Sequence, residues 1–572
     1  MTKYAAPPRD HFPIYQLLVA CALLSIMVSV VGLFVGPYAW DDGAITLAFS
    51  KTFAETGRIA LTPVSEQVEG FSTVSWFLIN AAIALFHLDF EGTILAAQIA
   101  SGVFLGIANI FVWLIAQKIN LRADTTFATL LILSIFGPAV SEVANGMEMT
   151  LLTASGLALV YALYFQFRDN HLMFAIAAAI FLTSRFEATI YYAALLTPLI
   201  FQRRFRSFAI LAAFGFMVVC LQEILRYAIF QDLIPNTIHA KMHQPYSLSG
   251  IDFISSRIKG GLEVVLVFLP LILTLVGLVA FAPRVRKGLI GSLRGQTAIR
   301  NDFIVLLAPI VAVVLFSMLT GKVWGYVGRM QFLALPFILL MCGLIFDNFM
   351  YIGGFSIFQK RKATLLAVSA VTVLFSWLSW HQSGASALST IALNVAGKGN
   401  PVADTVSVTP DSYRKTGRAV DKIRQLAGLA KIVFLTPDIG GLGLCCSDIR
   451  VVDIALLTNR RLARDGYHAL PEVFSTENPD VIEVHGPWAA LSKIYNNPEF
   501  NAKYQAALVN GTPLYVRNDI AESVSANSHA KYCRINSQCL VAALKTHRYV
   551  NQTNRDDDIA FLRRDQVLII HE

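Results

Sequence analysis

The sequence predicts a polytopic α-helical membrane protein of about eleven spans, followed by a C-terminal extracytoplasmic α/β domain. Three observations predict this architecture. Of 572 residues, 55% are hydrophobic and only 15% are Asp, Glu, Lys or Arg, a balance far from that of an average soluble domain. Apolar runs long enough to cross a hydrocarbon core of roughly 30 Å recur between residues 14 and 380. After Ser383 a linker rich in Ser, Gly and Ala gives way to ordinary charge density, with short β-rich runs alternating with helical patterns.

Lys3 and Arg9 precede the first apolar segment, residues 14–36, and set a cytoplasmic N-terminus by the positive-inside rule. No small-residue cleavage pattern follows, so this segment is expected to stay as an anchor. The chain then emerges on the outer side at Asp41 and Asp42. Residues 71–86 are apolar but short, and Ser72, Thr73, Ser75 and Asn80 interrupt them, which suits an interfacial or re-entrant segment. Residues 92–117 run inward to Lys118 and Arg122, 125–140 outward to Glu148, and 149–167 back to Arg168. Residues 171–201 are interrupted by Arg185 and Glu187. That fits two short helices meeting below the outer surface, against a single long span with a buried ion pair. Residues 208–230 exit to the loop 233–241, 261–281 return to the basic loop 284–300, and 303–319 exit to 321–329. Residues 331–345 return to Lys360, Arg361 and Lys362, and 363–380 exit again, which leaves everything after 385 outside. The expected division is a membrane domain at 1–384, with its first outer loop at 37–90, and a soluble domain at 385–572.

In the soluble part, 431–435, 449–454, 480–484 and 513–516 read as strands and 413–429 as a helix. Residues 437–443, Pro-Asp-Ile-Gly-Gly-Leu-Gly, follow a strand but lack dinucleotide-binding glycine spacing and open no evident helix, so they read as a turn. The net charge of +8 comes partly from cytoplasmic loops and needs no nucleic-acid partner. The seven cysteines show no metal-site spacing. In an oxidising compartment Cys533 and Cys539 could close a short local disulfide, with free thiols the alternative.

Chemistry concentrates in the outer loops. Carboxylates at a membrane boundary are costly to desolvate unless they stay hydrated, pair with a cation or bind substrate. The same side of the membrane receives Glu69, Glu148, Arg185, Glu187, Asn236, His239, Lys241, Trp324 and Arg329. A carboxylate beside cations suits transfer of a group from an anionic lipid carrier to a hydroxyl: the cations hold the departing phosphate and the carboxylate takes the proton. Asp41 and Asp42 are the candidate catalytic pair, with Asp41 slightly favoured as the base. The bland alternative is interfacial solvation. Asn236, His239, Lys241 and Arg329 form the candidate donor-phosphate set, because each can donate hydrogen bonds to phosphate oxygens. Glu69, Glu148, Arg185, Glu187 and Trp324 are candidates for sugar or acceptor contacts. Against these stand helix capping for the two first-named acids, mutual pairing of Arg185 with Glu187, and an aromatic-belt role for Trp324. Two adjacent carboxylates could also recruit a divalent cation, but no required cofactor is expected.

The run Trp40-Asp-Asp-Gly-Ala-Ile-Thr-Leu-Ala-Phe, ending in a glycine-closed helix at Gly57 and followed by Val68-Glu-Gly-Phe-Ser-Thr, resembles the first outer loop of polyprenyl-phosphate-sugar-dependent glycosyltransferases of the GT-C fold. Within these it is most similar to the group of the mycobacterial terminal arabinofuranosyltransferase. Asn145-Gly-Met-Glu148, Ser184-Arg-Phe-Glu187, Pro235-Asn-Thr-Ile-His-Ala-Lys241, Gly328-Arg329 and Pro437-Asp-Ile-Gly-Gly agree in order. Phe186, where the group commonly has proline, and Lys322-Val-Trp324, in place of a Gly-Asp-Trp-like element, depart from it. The resemblance implies inverting transfer of a sugar, with a pentofuranose such as arabinofuranose a candidate, from a polyprenyl-phosphate carrier to a glycan or glycolipid. It implies a multi-pass protein of the bacterial cytoplasmic membrane with its site facing the periplasm or exterior. A transporter or flippase of a lipid-linked saccharide is the alternative, binding the same cargo without bond cleavage.

Overall fold

The computed structural model describes residues 40–164, 171–243, 253–262, 297–320, 328–352, 409–528, 530–534 and 566–570, with isolated positions between 264 and 276. These residues are mostly helical, with one sheet in the C-terminal region. The expected spans at 14–36 and 363–380, most of 261–281, and the loop carrying Trp324 lie outside the described residues.

Among the described residues, three helices are long and apolar enough to cross a membrane: Phe90–Lys118, Phe205–Phe230 and Asn301–Thr320. A fourth span results if Ala123–Ile135 and Gly137–Asn145, bent by 49°, are counted together. The bend has a local cause. Phe136 is extended and Pro138 opens the second helix, where a ring without an N–H cannot continue the ladder of the first. These four correspond to the expected spans at 92–117, 208–230, 303–319 and 125–140. Met149–Tyr164, His171–Ser184, Ala188–Phe201 and Phe332–Asp347 are shorter apolar helices. The interruption at Arg185 and Glu187 is indeed a break between two helices. Val74–Ala84, with 11 residues, rises about 16 Å, roughly half a hydrocarbon core.

Contacts divide the chain into two compact units, and the division does not follow chain order. One holds the described parts of Gln98–Glu223 and Gly250–Ile391; the other holds those of Gly36–Ala97, Ile224–Ser249 and Ala392–Glu572. The first is a helical unit with a large apolar cluster around Phe136, Phe181, Phe332 and Phe337, beside which charged residues such as Glu142, Glu148 and Arg185 are also buried. The second joins the first outer loop and the 224–249 segment to the C-terminal region, where the sequence division had placed a boundary at 384.

The sheet of this second unit has seven strands: β1 (Ile432–Thr436), β2 (Ile449–Asp453), β3 (Val481–Ile482), β4 (Tyr504–Val509), β5 (Thr512–Arg517), β6 (Lys531–Arg534) and β7 (Gln566–Ile570). Their order is β2-β1-β3-β5-β4-β7-β6. β1 pairs in parallel with β2 and β3, β4 in parallel with β7, and the remaining pairs are antiparallel. The four runs expected to be strands are β1, β2, β3 and β5. The open edge of β2 is occupied by the first outer loop: Thr62 Oγ1 donates to the Ile449 carbonyl at 2.8 Å, and the Val451 N–H donates to Ser65 Oγ at 3.1 Å. Those bonds satisfy backbone groups that an uncovered edge would leave open to pairing with another chain. The expected helix at 413–429 is Pro410–Leu426, started by a capping box between Thr409 and Ser412.

Candidate functional site

Asp41 and Asp42 open the helix Asp41–Thr56, which Gly57 closes in the left-handed conformation (φ 72°). Acids in a first turn favour the positive end of the helix dipole. Adjacent positions on a helix point about 100° apart, and the two carboxylates meet opposite fates. Asp41 is 2% exposed. Its Oδ2 accepts from the Gly440 N–H and its Oδ1 from the Gly441 N–H, both at 2.7 Å. Asp42 is exposed.

The donors come from 437–443, which is not a turn only. A short helix, Gly440–Cys445, opens there. Its first amides have no partners within the helix, and the glycines let another backbone approach: a Cβ on Gly440 would lie 2.3 Å from the Asp41 carbonyl oxygen. The anion at this helix start is thus the chain's own carboxylate. Leu444 O accepts from Lys51 Nζ at 3.1 Å, so the Asp41 helix is tied to the Gly440 helix at two places.

A charged network that the sequence reading did not single out surrounds Asp438. Its Oδ2 accepts from the Tyr413 hydroxyl at 2.7 Å and lies 2.9 Å from His485 Nε2, while His485 Nδ1 lies 2.6 Å from Glu483 Oε1. Held between two carboxylates, His485 has its pKa raised well above the usual imidazole value despite burial. Burial, then the Asp438 charge, push the Asp41 carboxyl up to about 7, against the two amide bonds that pull it down. Asp438 lay within a motif already noted, but nothing in linear order announced His485 or Glu483 as its neighbours.

Other candidates in this unit are engaged by the protein itself. Glu69 is buried and forms a two-pronged pair with Arg226, Nε to Oε2 at 2.5 Å and Nη2 to Oε1 at 3.2 Å. Arg226 sits inside an apolar helical stretch, a signal of a paired charge that the sequence offered. Asn236, His239 and Lys241 share the helix Asn236–Lys241. Asn236 Nδ2 donates to the Leu457 carbonyl at 2.8 Å, His239 Nε2 lies 3.1 Å from Asp232 Oδ2, and Lys241 is exposed. Arg464 Nη2 shares Asp232 at 2.6 Å. Of the three, Lys241 is the one that reaches outward.

The helical unit brings together Glu148, Arg185, Glu187 and Arg329, and adds Glu142. Arg185 pairs with both Glu148 and Glu187. Arg329 lies 3.2 Å from Glu148 and 3.5 Å from Glu142, whose other oxygen accepts from the Met149 N–H at 3.1 Å. Arg185 and Glu187 are therefore not an isolated pair, and a phosphate at Arg329 would compete with two carboxylates already there. Glu142, in the middle of an apolar stretch, was the readable hint of this cluster.

Among the described residues, no group of three or more His, Cys, Asp and Glu is placed to hold a metal ion. Each oxygen of Asp41 accepts one backbone amide bond. Cys533 is in a disulfide, and Cys539 lies outside the described residues. Cys445 and Cys446 are bonded to each other. No protein-family model matches the chain, and no curated protein matches it in sequence.

Proposed function

We propose that this protein is a multi-pass membrane glycosyltransferase of about eleven spans. It moves a sugar, for which arabinofuranose is a candidate, from a polyprenyl-phosphate carrier to a glycan or glycolipid on the outer side of a bacterial cytoplasmic membrane. One arrangement supports the reading most: an exposed carboxylate, Asp42, stands at the start of a helix whose adjacent acid is pinned by two backbone amides. Pinning Asp41 fixes the helix start and hence the direction in which Asp42 projects. A base held this way needs little reorganisation when it acts. This moves the role of base from Asp41, whose oxygens are both occupied, to Asp42.

In the proposed reaction Asp42 takes the proton of an acceptor hydroxyl as its oxygen bonds to the anomeric carbon. The bond from that carbon to the carrier phosphate breaks, and polyprenyl phosphate leaves with the electron pair. Lys241, exposed at the end of its helix, is the proposed contact for that phosphate.

The test is sugar transfer by the purified full-length protein from radiolabelled polyprenyl-phosphate sugars to cell-envelope glycan acceptors. Wild type is expected to transfer label, and Asp42→Asn to retain about one part in a hundred or less of that rate, the scale of a lost general base. Absence of transfer from any donor, with carrier movement across proteoliposomes that survives Asp42→Asn, would favour the flippase reading instead.

A further inference from the structure

We propose that Cys445 and Cys446 are a thiol–disulfide switch that sets how firmly the Gly440–Cys445 helix holds Asp41. The two residues are neighbours in sequence and bonded through sulfur. A disulfide between neighbours closes a small ring that contains the peptide bond joining them, so the backbone at that point cannot turn independently of the sulfurs. That ring sits at the last residue of a six-residue helix. At the other end of the same helix are the Gly440 and Gly441 amides bonded to Asp41.

The connection between the two ends is short and made of backbone. The Cys446 N–H donates to the Leu442 carbonyl at 3.1 Å, and the Leu444 carbonyl takes Lys51 from the Asp41 helix. A single turn and a half has little cooperativity of its own, so its geometry depends on what fixes its ends. Gly417 packs against the bridge: a Cβ there would meet both sulfurs at 2.9 Å. Both cysteines are half-buried and not sealed in a core, so a thiol can reach them. Reduction would also find a partner in place, because Cys445 Sγ lies 3.4 Å from the Leu442 carbonyl, where a new S–H could donate.

The step balances with a dithiol, either small or borne by a protein, as co-reactant. Its thiolate attacks one sulfur and forms a mixed disulfide. That attack releases the other cysteine; the dithiol's second thiol then displaces the cysteine held in the mixed disulfide, so the dithiol is oxidised by two electrons to its own disulfide while its two protons end on Cys445 and Cys446. In the oxidised protein the ring stiffens the helix end and the Asp41 clamp is tight. In the reduced protein the helix end loosens and the clamp opens more often.

The experiment uses the full-length protein in detergent and does not require sugar transfer, so its outcome is independent of the proposed activity. Peptide mapping of alkylated protein establishes whether the two sulfurs are bonded to each other. Hydrogen exchange of the peptide covering 436–444 is then followed with and without a phosphine reductant. Exchange at the Gly440 and Gly441 amides is expected to accelerate about tenfold or more on reduction. Because Cys533 is also in a disulfide, the Cys445→Ser, Cys446→Ser double variant isolates the bridge: it should exchange at the fast rate and show no further response to reductant. Two free thiols at these positions in protein handled without reductant, or equal exchange rates before and after reduction, would overturn the proposal. Should the double variant fail to fold, the oxidised and reduced states are compared in Cys533→Ser, which lacks the other disulfide and keeps the Cys445–Cys446 bridge.

Discussion

Asp41 shows how one carboxylate can be both well bonded and energetically uncomfortable. Two amide donors stabilise its charge, yet burial and the nearby Asp438 charge hold its pKa at about 7 instead of the ordinary 3.8. A folded-state pKa above the unfolded one means the native protein binds the proton more tightly. Stability is therefore highest below about pH 4 in this contribution and falls as pH rises towards 7, by on the order of 4 kcal/mol across that interval. Asp453, buried beneath the Ala455 and Thr458 amides that it accepts from, is also raised to about 7 and adds a slope of the same sign. His485, raised from an imidazole value, loses its contribution as pH climbs higher still. Thermal unfolding between pH 5 and pH 8 is expected to show a falling melting temperature for wild type and a shallower fall for Asp41→Asn, which cannot ionise. An equal slope in both proteins would mean that Asp41 is ionised throughout. The acidic pair was legible in the sequence, but which member is buried was not, because that depends on amides about four hundred positions away in the chain.

At the scale of the element, Gly440–Cys445 is the least predictable piece and the most consequential. Residues 437–443 read as a turn because three glycines in four positions argue against a helix and supply no amphipathic pattern. The helix forms because its surroundings demand small residues. Gly443 packs against Leu61 and Ala48, Gly440 lies on the Asp41 backbone, and at Gly441 a Cβ would come within 2.0 Å of the Pro410 carbonyl oxygen. Alanine at 441 would gain up to about 1 kcal/mol of intrinsic helix propensity. The contact to a backbone oxygen opposes that gain and should win, since neither chain segment can rotate away as a side chain would. Gly441→Ala is expected to destabilise the second unit by about 1–3 kcal/mol, the usual scale of overpacking. Faster limited proteolysis within the C-terminal region would register this, and unchanged or slower cleavage would show that Pro410 yields easily. By contrast, β1, β2 and most of the Pro410–Leu426 helix were legible because apolar periodicity is a local signal, although the helix start at Thr409 and Pro410 was not read. β4, β6 and β7 were not singled out. β7 takes its place between β4 and β6 only through pairing with both, which no local window contains.

For the molecule as a whole, the sequence made the described apolar helices plain, and the break at Arg185 and Glu187 but not the one at Phe136, since length and hydropathy are one-dimensional properties. It could not show that residues 36–97 and 224–249 belong with the C-terminal region. That grouping rests on side-chain bonds such as Thr62 to Ile449 and Asn236 to Leu457, made between segments far apart in the chain. The grouping bears on topology. On the proposed topology, the described parts of the first outer loop and of the region after residue 409, which pack in one unit, lie on one side of the membrane. On that proposed topology the positive-inside rule puts that side opposite Lys118 and Arg122. Lys415 in the second unit and Lys118 at the end of its long helix are both exposed, so a cysteine at either can be labelled without entering a core. In intact cells a membrane-impermeant maleimide is expected to label Lys415→Cys above the wild-type background and to label Lys118→Cys only after permeabilisation. Labelling of both in intact cells would place Lys118 outside as well and require an extra crossing or one fewer. Labelling of neither until permeabilisation would put the second unit in the cytoplasm, where a periplasmic sugar acceptor could not reach Asp42.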